Sequence, residues 1–565
     1  MSLLTANSIP LRNYLYLTSG TLKIPYSQRP YEWSKAQAER LFNDYYSVHE
    51  STGTTHVLNF ITVYQEDDNN KYIYDGQQRT VSSLLIVASL IRILKELGDE
   101  TSAQTFIGRY LASPDEFDDR MFTYKLIFEK STANNIFKNY IVIGSEIPST
   151  IYLTDYEKAL KTNYDLFYEL FKEKIGNSPS SQLIKNILKN ILEKVVLILI
   201  ETSDEDVAIK MFDTLNSTGQ QLADFYVLKN YLVQILGEQV VKSIWENIES
   251  NTNGLNKNKF LVSYVSCFNG KTAEKNIFNK IKELKSLDDT NEAHTFLEEL
   301  AKASKTFLHL SSPNLRANGT DVEKNIFLER VKALNTLKAI QYKPVIVAMD
   351  LVNMGLNEIN SVLEAIITLQ LRNIFIGEEP GNTLEQFYPN LAKSIYEEEI
   401  QGIHSILNSI HSQMINDTVL EDKFSSKIIS TNNDKSIIKY VLRTIYNYEH
   451  RIRNQNELLI NPDTNLITLE HILPEKPEID SLWTTNFNDI DREKYTYLIG
   501  NLTLLLRGPN ASASNNEFKI KVNEYATSSI NQNQQIAALP IWEKQQIVNR
   551  TSTLFNTFKD LWPKI

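Results

Sequence analysis

Between residues 58 and 94 the hydrophobic period of the chain changes from two to about 3.6, and this switch constrains the fold more than any other feature. Residues 58–64 (LNFITVY) and 71–74 (KYIY) are rich in branched and aromatic side chains and read as strands, with the polar EDDNN between them as a hairpin loop. From Thr80 onward Val81, Leu84, Leu85, Val87, Ala88, Ile91 and Leu94 fall at helical spacing. DGQQR, residues 75–79, therefore stands at a strand-to-helix junction. Residues 195–200 (VVLILI) form a short, continuous, branched run, the type expected of a buried strand in the same sheet.

From about residue 205 to 455 the text reads mainly as helix, with periodic stretches at 206–235, 259–268, 322–352, 359–376 and 436–449. Breaks such as NTNG (251–254) and TNND (431–434) separate them, and no repeat of fixed period stands out. The C-terminal part returns to mixed character: ITLEHILP, then IGNLTLLL, then a helix beginning near Asn515. NQNQQ (531–535) reads as a surface loop. The expected fold class is α+β and predominantly helical. Three domains are expected, over 1–240, 241–440 and 441–565.

Composition narrows the class. The chain has 565 residues, 42% hydrophobic and 22% charged, which is a globular profile and not a disordered or collagenous one. No uninterrupted apolar run reaches the ~18–20 residues of a membrane span, and the first residues show no secretory pattern. A single cysteine, Cys267, can build neither an internal disulfide nor a thiolate metal site. The expected address is the cytoplasm, with no membrane partner. The net charge of −11 weighs against a small basic DNA-coating protein but leaves room for a local basic surface. Over 490–565 nine Lys and Arg stand against six Asp and Glu, so the C-terminal end is locally positive.

The last of eight histidines is His471, in Glu470-His471-Ile472-Leu473-Pro474 directly after a strand-like run. Gly500-Asn501-Leu502 opens a second such run, and Asn510 follows. A phosphodiesterase needs a general base to activate water and a hard cation on the scissile phosphate. Neighbours on a strand point to opposite faces, so Glu470 and His471 can share one metal only where the strand ends, and Pro474 suggests that it does. A lone histidine is more often structural than catalytic.

Near the other end, IPYSQRPYEW (24–33) and DGQQR concentrate arginines, glutamines and an aspartate that core packing does not explain. Their chemistry suits phosphate. Gly76 lets backbone approach at the turn, and the helix N-terminus offers free N–H groups to an anion. Arg79 supplies a planar bidentate fork, Asp75 could hold Mg²⁺ or orient water, and Gln77 and Gln78 are neutral positioning groups. No Walker-type G-x-x-x-x-G-K-[ST] is present, which excludes a P-loop NTPase. The bland alternative is a buried polar network pinning the sheet to its helix.

EHILP, GNLTLL and Asn515-x-x-Phe518-x-x-Lys521 together resemble the HNH (His-Me finger) nuclease domain of the GmrSD-type restriction endonucleases. The resemblance implies a ββα-metal fold with His471 as general base and Glu470 and Asn510 on one Mg²⁺ (or Mn²⁺). It also implies Asn501 holding the loop that positions the histidine, and Arg507, Lys519 and Lys521 on DNA phosphate. The third HNH position falls among Asn510, Asn515 and Asn516. IPYSQRPYEW and YDGQQRT are similar to the two signature motifs of the ParB-like N-terminal domain of the same family. Residues 212–230 (FDTLNSTGQQLADFYVLKN) match a third segment through Asn216, Gly219, Leu222 and Asp224.

The resemblance implies binding and hydrolysis of a nucleoside triphosphate, GTP or ATP, at Tyr26, Gln28, Arg29, Asp75, Gly76, Gln77, Gln78 and Arg79. It implies a modification-dependent, type IV-like DNA endonuclease of antiphage defence. The partners would be double-stranded DNA, modified phage DNA above all, and nucleotide, with a homodimer as one expected assembly. Two alternatives stay open: a phosphorothioate-sensing nickase and NTPase similar to SspE, and a nucleotide-switched DNA-binding protein whose nuclease domain is inactive.

Overall fold

A computed structural model describes the chain except for residues 1–3, 52, 116–117, 119–120, 130, 149–150, 177, 206, 210, 212–223, 313–318, 457–458 and 461–465. Asn216, Gly219 and Leu222 thus lie outside the described residues, while Asp224 opens the helix Asp224–Leu236. Among the described residues the strands are β1 (Leu4–Pro10), β2 (Thr21–Ile24), β3 (His56–Gln65), β4 (Asn70–Asp75), β5 (Ala112–Pro114), β6 (Phe122–Tyr124), β7 (Leu126–Phe128), β8 (Val195–Thr202), β9 (Ile467–His471) and β10 (Leu502–Leu506). The rest is mostly helix, so the fold is α+β and predominantly helical.

Two compact units divide the chain. One comprises 1–258 and 278–298, the other 259–277 and 299–565. The first is built on a six-stranded mixed sheet in the order β1-β8-β3-β4-β2-β7. The hairpin expected from LNFITVY and KYIY is the antiparallel β3–β4 pair, and VVLILI joins the same sheet as β8, parallel to β3. The helix Gln77–Glu96 leaves β4 through Gly76 and is almost wholly buried. Its Thr80, Ser82 and Ser83 hydroxyls each meet a buried tyrosine hydroxyl, from Tyr14, Tyr31 and Tyr45, at 3.0, 2.7 and 2.7 Å. Those bonds let polar side chains sit inside the unit at little cost.

The second unit is a helical assembly with the two-stranded β9–β10 ribbon near its C-terminal end. The periodic stretch 322–352 divides into the helices Asp321–Thr336 and Lys343–Leu351, and 359–376 becomes Leu356–Leu369 continued by a π-helical segment Gln370–Ile376. The stretch Leu356–Ile376 is long and apolar enough to cross a membrane, yet 83% of its most apolar window is buried inside the unit, as a core helix would be. One expectation is corrected. NQNQQ is no surface loop but the start of the helix Asn531–Ala537, with Gln532 and Asn533 buried. Asn533 accepts from the Thr503 hydroxyl at 2.6 Å and donates to the Leu504 carbonyl at 2.8 Å, so its amide backs β10.

Candidate active site

β9 and β10 run antiparallel with Glu470 opposite Thr503 and His471 opposite Leu502. β9 ends at His471, three residues before Pro474. Beyond it the chain is held by one side chain. Asn501, 0% exposed, accepts from the Leu473 N–H through Oδ1 at 2.8 Å and donates through Nδ2 to the Leu473 and Thr496 carbonyls, both at 2.9 Å. Its own carbonyl accepts from the Ile472 N–H at 3.0 Å. Both backbone groups of Leu473 are therefore fixed, which sets where the preceding His471 stands.

The His471 ring is edge-on to Tyr497, with centroids 5.8 Å apart. Its Nε2 lies 3.4 Å from Glu475 Oε1, an approach not aligned as a hydrogen bond that becomes an ion pair only when the ring is protonated, and Glu475 is held by Lys435 Nζ at 2.9 Å. Burial pushes the His471 imidazole below its ordinary value, against the pull of Glu475, and the Lys435 and Lys521 charges add to the fall. The imidazole is thus uncharged at neutral pH. Burial would raise the Glu475 carboxyl, but the Lys435 hydrogen bond and charge, joined by the His471 ring when it is protonated, outweigh it and hold the group below its usual value.

Glu470 turns inward. Its Oε1 accepts from Lys521 Nζ and from the Tyr525 hydroxyl, each at 2.8 Å, and Lys521 Nζ also reaches the His471 carbonyl at 2.8 Å. Burial pushes the Glu470 carboxyl up, opposed by Lys521 and Tyr525. The expectation of Lys521 on DNA phosphate is corrected here, since its side chain is 0% exposed and committed to Glu470. The spacing explains why. In the helix Phe518–Ala526, Phe518, Lys521 and Tyr525 are i, i+3 and i+7 on one buried face. Lys519 and Arg507 are exposed and free of that role.

Of the three candidate asparagines, Asn510 touches β9. Its Nδ2 donates to Thr468 Oγ1 at 2.8 Å and to the Leu469 carbonyl at 3.2 Å, and its Oδ1 accepts no hydrogen bond among the described residues. Thr468 and Glu470 share one face of the strand, so Asn510 stands on the Glu470 side. Asn516 bonds back to the Ser512 carbonyl at 2.9 Å, and Asn515 is exposed. Among the described residues no group of three His, Cys, Asp or Glu side chains is placed to hold a metal. The available donors are the Asn510 carbonyl oxygen and the second Glu470 oxygen, which are hard ligands suited to Mg²⁺ or Mn²⁺ completed by water.

In the first unit, Asp75 closes β4 and Gly76 takes the left-handed conformation, φ +86°, as N-cap of the helix Gln77–Glu96. A Cβ on Gly76 would sit 2.8 Å from Ile61 Cγ1 and 3.2 Å from the Phe60 carbonyl, so the turn needs glycine twice over. Asp75 Oδ1 accepts from the Gly76 N–H at 2.7 Å, and the Arg79 guanidinium lies 3.4 Å from the same carboxylate and 3.3 Å from the Leu58 carbonyl. Gln77 and Gln78 act on protein and not on solvent. Gln77 Nε2 donates to the Arg29 carbonyl, Gln78 Nε2 to the Pro30 carbonyl at 2.9 Å, and Gln78 Oε1 accepts from the Glu32 N–H at 3.0 Å. They fasten the loop that carries Gln28 and Arg29.

Two groups stay unclaimed there. Gln77 Oε1 is buried without a partner, and the Arg29 guanidinium has no ion pair among the described residues. Tyr26 is buried with Lys229 Nζ 3.5 Å above its ring, and its N–H donates to Glu129 Oε2 at 2.9 Å. Gln28 borders a cavity of about 270 Å³ walled by Tyr64, Tyr72 and Tyr74 and by Glu66, Glu129, Glu205 and Glu238.

Several of these residues escape sequence reasoning. Glu475 has a visible signal, four residues beyond the histidine in EHILPE. Lys229, Glu129, Lys435 and Tyr525 have none, because each acts across distances in sequence that no motif spans.

A histidine at the end of a two-stranded ribbon, braced by a buried asparagine and followed by helices, defines a candidate nuclease site. Residues 414–557 match the family model described as GmrSD restriction endonucleases, C-terminal domain, and residues 13–233 match GmrSD restriction endonuclease, N-terminal domain. Together they cover well over half of the chain, and the chain belongs to the GmrSD restriction endonuclease family. It is a nuclease of the restriction endonuclease kind, and DNA is its partner. Comparison with curated proteins returns no match.

Proposed function

We propose that this protein is a modification-dependent DNA endonuclease of antiphage defence, hydrolysing phosphodiesters at an HNH-type site and regulated by a nucleoside triphosphate in its N-terminal unit. The observation that carries the reading is the His471–Asn501 arrangement: a neutral, buried-edge imidazole whose supporting loop is locked by a fully buried carboxamide. Glu475 faces Nε2, which favours the tautomer with the proton there and leaves Nδ1 to accept one. His471 takes a proton from water, the water oxygen bonds to phosphorus, and the P–O bond to the leaving strand breaks with its oxygen taking up a proton. Glu470 and Asn510 would hold Mg²⁺ or Mn²⁺, which when bound polarises the phosphate and stabilises the departing oxygen. Exposed Arg507 and Lys519 would contact neighbouring phosphates.

In the N-terminal unit the unclaimed Arg29 and Gln77 Oε1, with Arg79 and the Gly76 turn, suit the phosphates and polar edge of a nucleotide. The four glutamates beside Gln28 repel a bare triphosphate, so the ligand would be the magnesium complex.

A second reading is favoured by one observation. The buried Lys521 ammonium already occupies Glu470, which opposes a cation at that carboxylate and suits a DNA-binding clamp. Incubating plasmid DNA with Mg²⁺ and either wild type or His471→Ala separates the readings. Cleavage by wild type alone supports the nuclease; binding with no cleavage by either supports the clamp. Unmodified, glucosylated-hydroxymethylcytosine and phosphorothioate substrates run side by side then tell modification-dependent restriction from phosphorothioate-sensing nicking.

A further inference from the structure

The Gly500-Asn501-Leu502 turn is gripped from outside the recognised motifs. Trp542 Nε1 donates to Asn501 Oδ1 at 3.0 Å, so this oxygen takes two donors, the indole and the Leu473 N–H. An indole N–H only donates, and the Leu473 and Thr496 carbonyls only accept. One of the two orientations of the Asn501 amide therefore satisfies every partner, and the flipped one would oppose N–H to N–H.

Arg550 grips the backbone of the same turn. Its Nη1 donates to the Gly500 carbonyl at 2.7 Å and to the Leu502 carbonyl at 2.8 Å, on either side of Asn501. Its Nη2 donates to the Tyr446 hydroxyl at 2.6 Å, and that hydroxyl meets Thr503 Oγ1 at 3.1 Å. Arg550 belongs to the helix Lys544–Leu561, which lies directly against Gly500. A Cβ there would come within 2.2 Å of the Ile547 carbonyl and Thr551 Oγ1. The far end of this helix is tied down too, since the buried Arg372 donates to the Trp562 carbonyl at 3.0 Å.

We infer that Trp542 and Arg550 are positioning residues of the nuclease site, setting His471 through the carboxamide and backbone of Asn501. The inference rests on the phosphodiester-hydrolysing reading of His471. Neither residue touches the histidine. Their effect passes through Asn501 to Leu473 and Ile472, and so to the end of β9. Trp542 also stacks on Phe518 at 5.8 Å, so phenylalanine at 542 keeps an aromatic ring in that stack and removes the donor.

The test uses the full chain. In Mg²⁺-dependent plasmid cleavage, Trp542→Phe should lower kcat by about tenfold with KM unchanged and the chain still folded at the assay temperature, and Arg550→Lys should retain more kcat than Arg550→Ala. Hydrogen exchange gives an activity-independent reading: Trp542→Phe should speed exchange over 470–476, which carries the Ile472 and Leu473 amides, and leave the rest of the second unit alone. Wild-type kcat in Trp542→Phe, or unchanged exchange over 470–476, overturns the inference. If wild type itself cleaves nothing while the exchange response is present, the nuclease reading fails and the positioning of the β9 end by Trp542 stands.

Discussion

In the proposed mechanism His471 serves as the base because of where it is, not because histidine bases are common. Its neutrality follows from burial beside Lys435 and Lys521, with Glu475 as the opposing charge. Loss of a general base costs about 10²–10⁴-fold in rate, so His471→Ala should reduce cleavage by that much with folding intact. Cleavage at the wild-type rate would end its assignment. Glu475→Gln keeps the shape of the contact and removes the charge, and kcat should fall by about tenfold, or ~1.4 kcal/mol of transition-state stabilisation. A Glu475→Gln enzyme of full activity would make that carboxylate a bystander.

The same imidazole links stability to pH. Its folded pKa lies below the ordinary 6.5, so the unfolded chain takes up the proton first. Its stabilisation is complete above that value and is lost as pH falls through 6.5 toward the lowered one. Glu475, whose carboxyl is depressed below 4.5, loses its own share at lower pH. Urea midpoints of His471→Gln should therefore drop less than those of wild type between pH 7 and pH 5, and parallel curves would contradict the buried neutral base. At this scale His471, Asn501 and Glu470 are visible in the sequence as motif letters. The inward commitment of Lys521 is not, because N-x-x-F-x-x-K reads equally as a phosphate-binding turn or a buried helical face until the packing partner is known.

Elements are legible where one period dominates. The β3–β4 hairpin, β8 and the helix Gln77–Glu96 are all readable, since branched alternation and helical spacing are strong there. β1 is not, because Leu4–Pro10 is a mostly exposed edge strand of mixed polarity, and neither are β5, β6 and β7, at three residues each. The NQNQQ helix is hidden in the sequence for a different reason. Its polar residues are buried by hydrogen bonds to β10 and Glu449, which composition cannot show. The strand-to-helix corner provides the test at this scale. Gly76→Ala forces a side chain at φ +86° against Ile61 and the Phe60 carbonyl, which should cost about 1–3 kcal/mol in urea unfolding. A change within a few tenths of a kcal/mol would mean that the corner relaxes, and that glycine there serves a ligand and not the fold.

For the whole molecule the question is whether the two proposed chemistries on one chain speak to each other. Arg79 belongs to the unit of residues 1–258 and 278–298, and His471 to the unit of 259–277 and 299–565. A nucleotide can shift an equilibrium between states of the chain only by binding them with different affinity. If Arg79 leaves Asp75 to take a phosphate, the charge-assisted bonds should be worth roughly 1.5–3 kcal/mol, and Arg79→Ala should weaken nucleotide binding by about 10- to 150-fold. Arg79→Lys should recover only part, because an ammonium lacks the planar fork. Nucleotide should then change the DNA cleavage rate of wild type and leave that of Arg79→Ala where it was. Titrating GTP and ATP into cleavage reactions of both proteins, on modified and unmodified DNA, reads this directly. A change of either sign supports the proposed coupling, because a bound nucleotide can license or restrain cutting. Identical wild-type rates with and without nucleotide on every substrate would leave two independent activities, and the regulatory half of the proposed function would fall while the nuclease half survived.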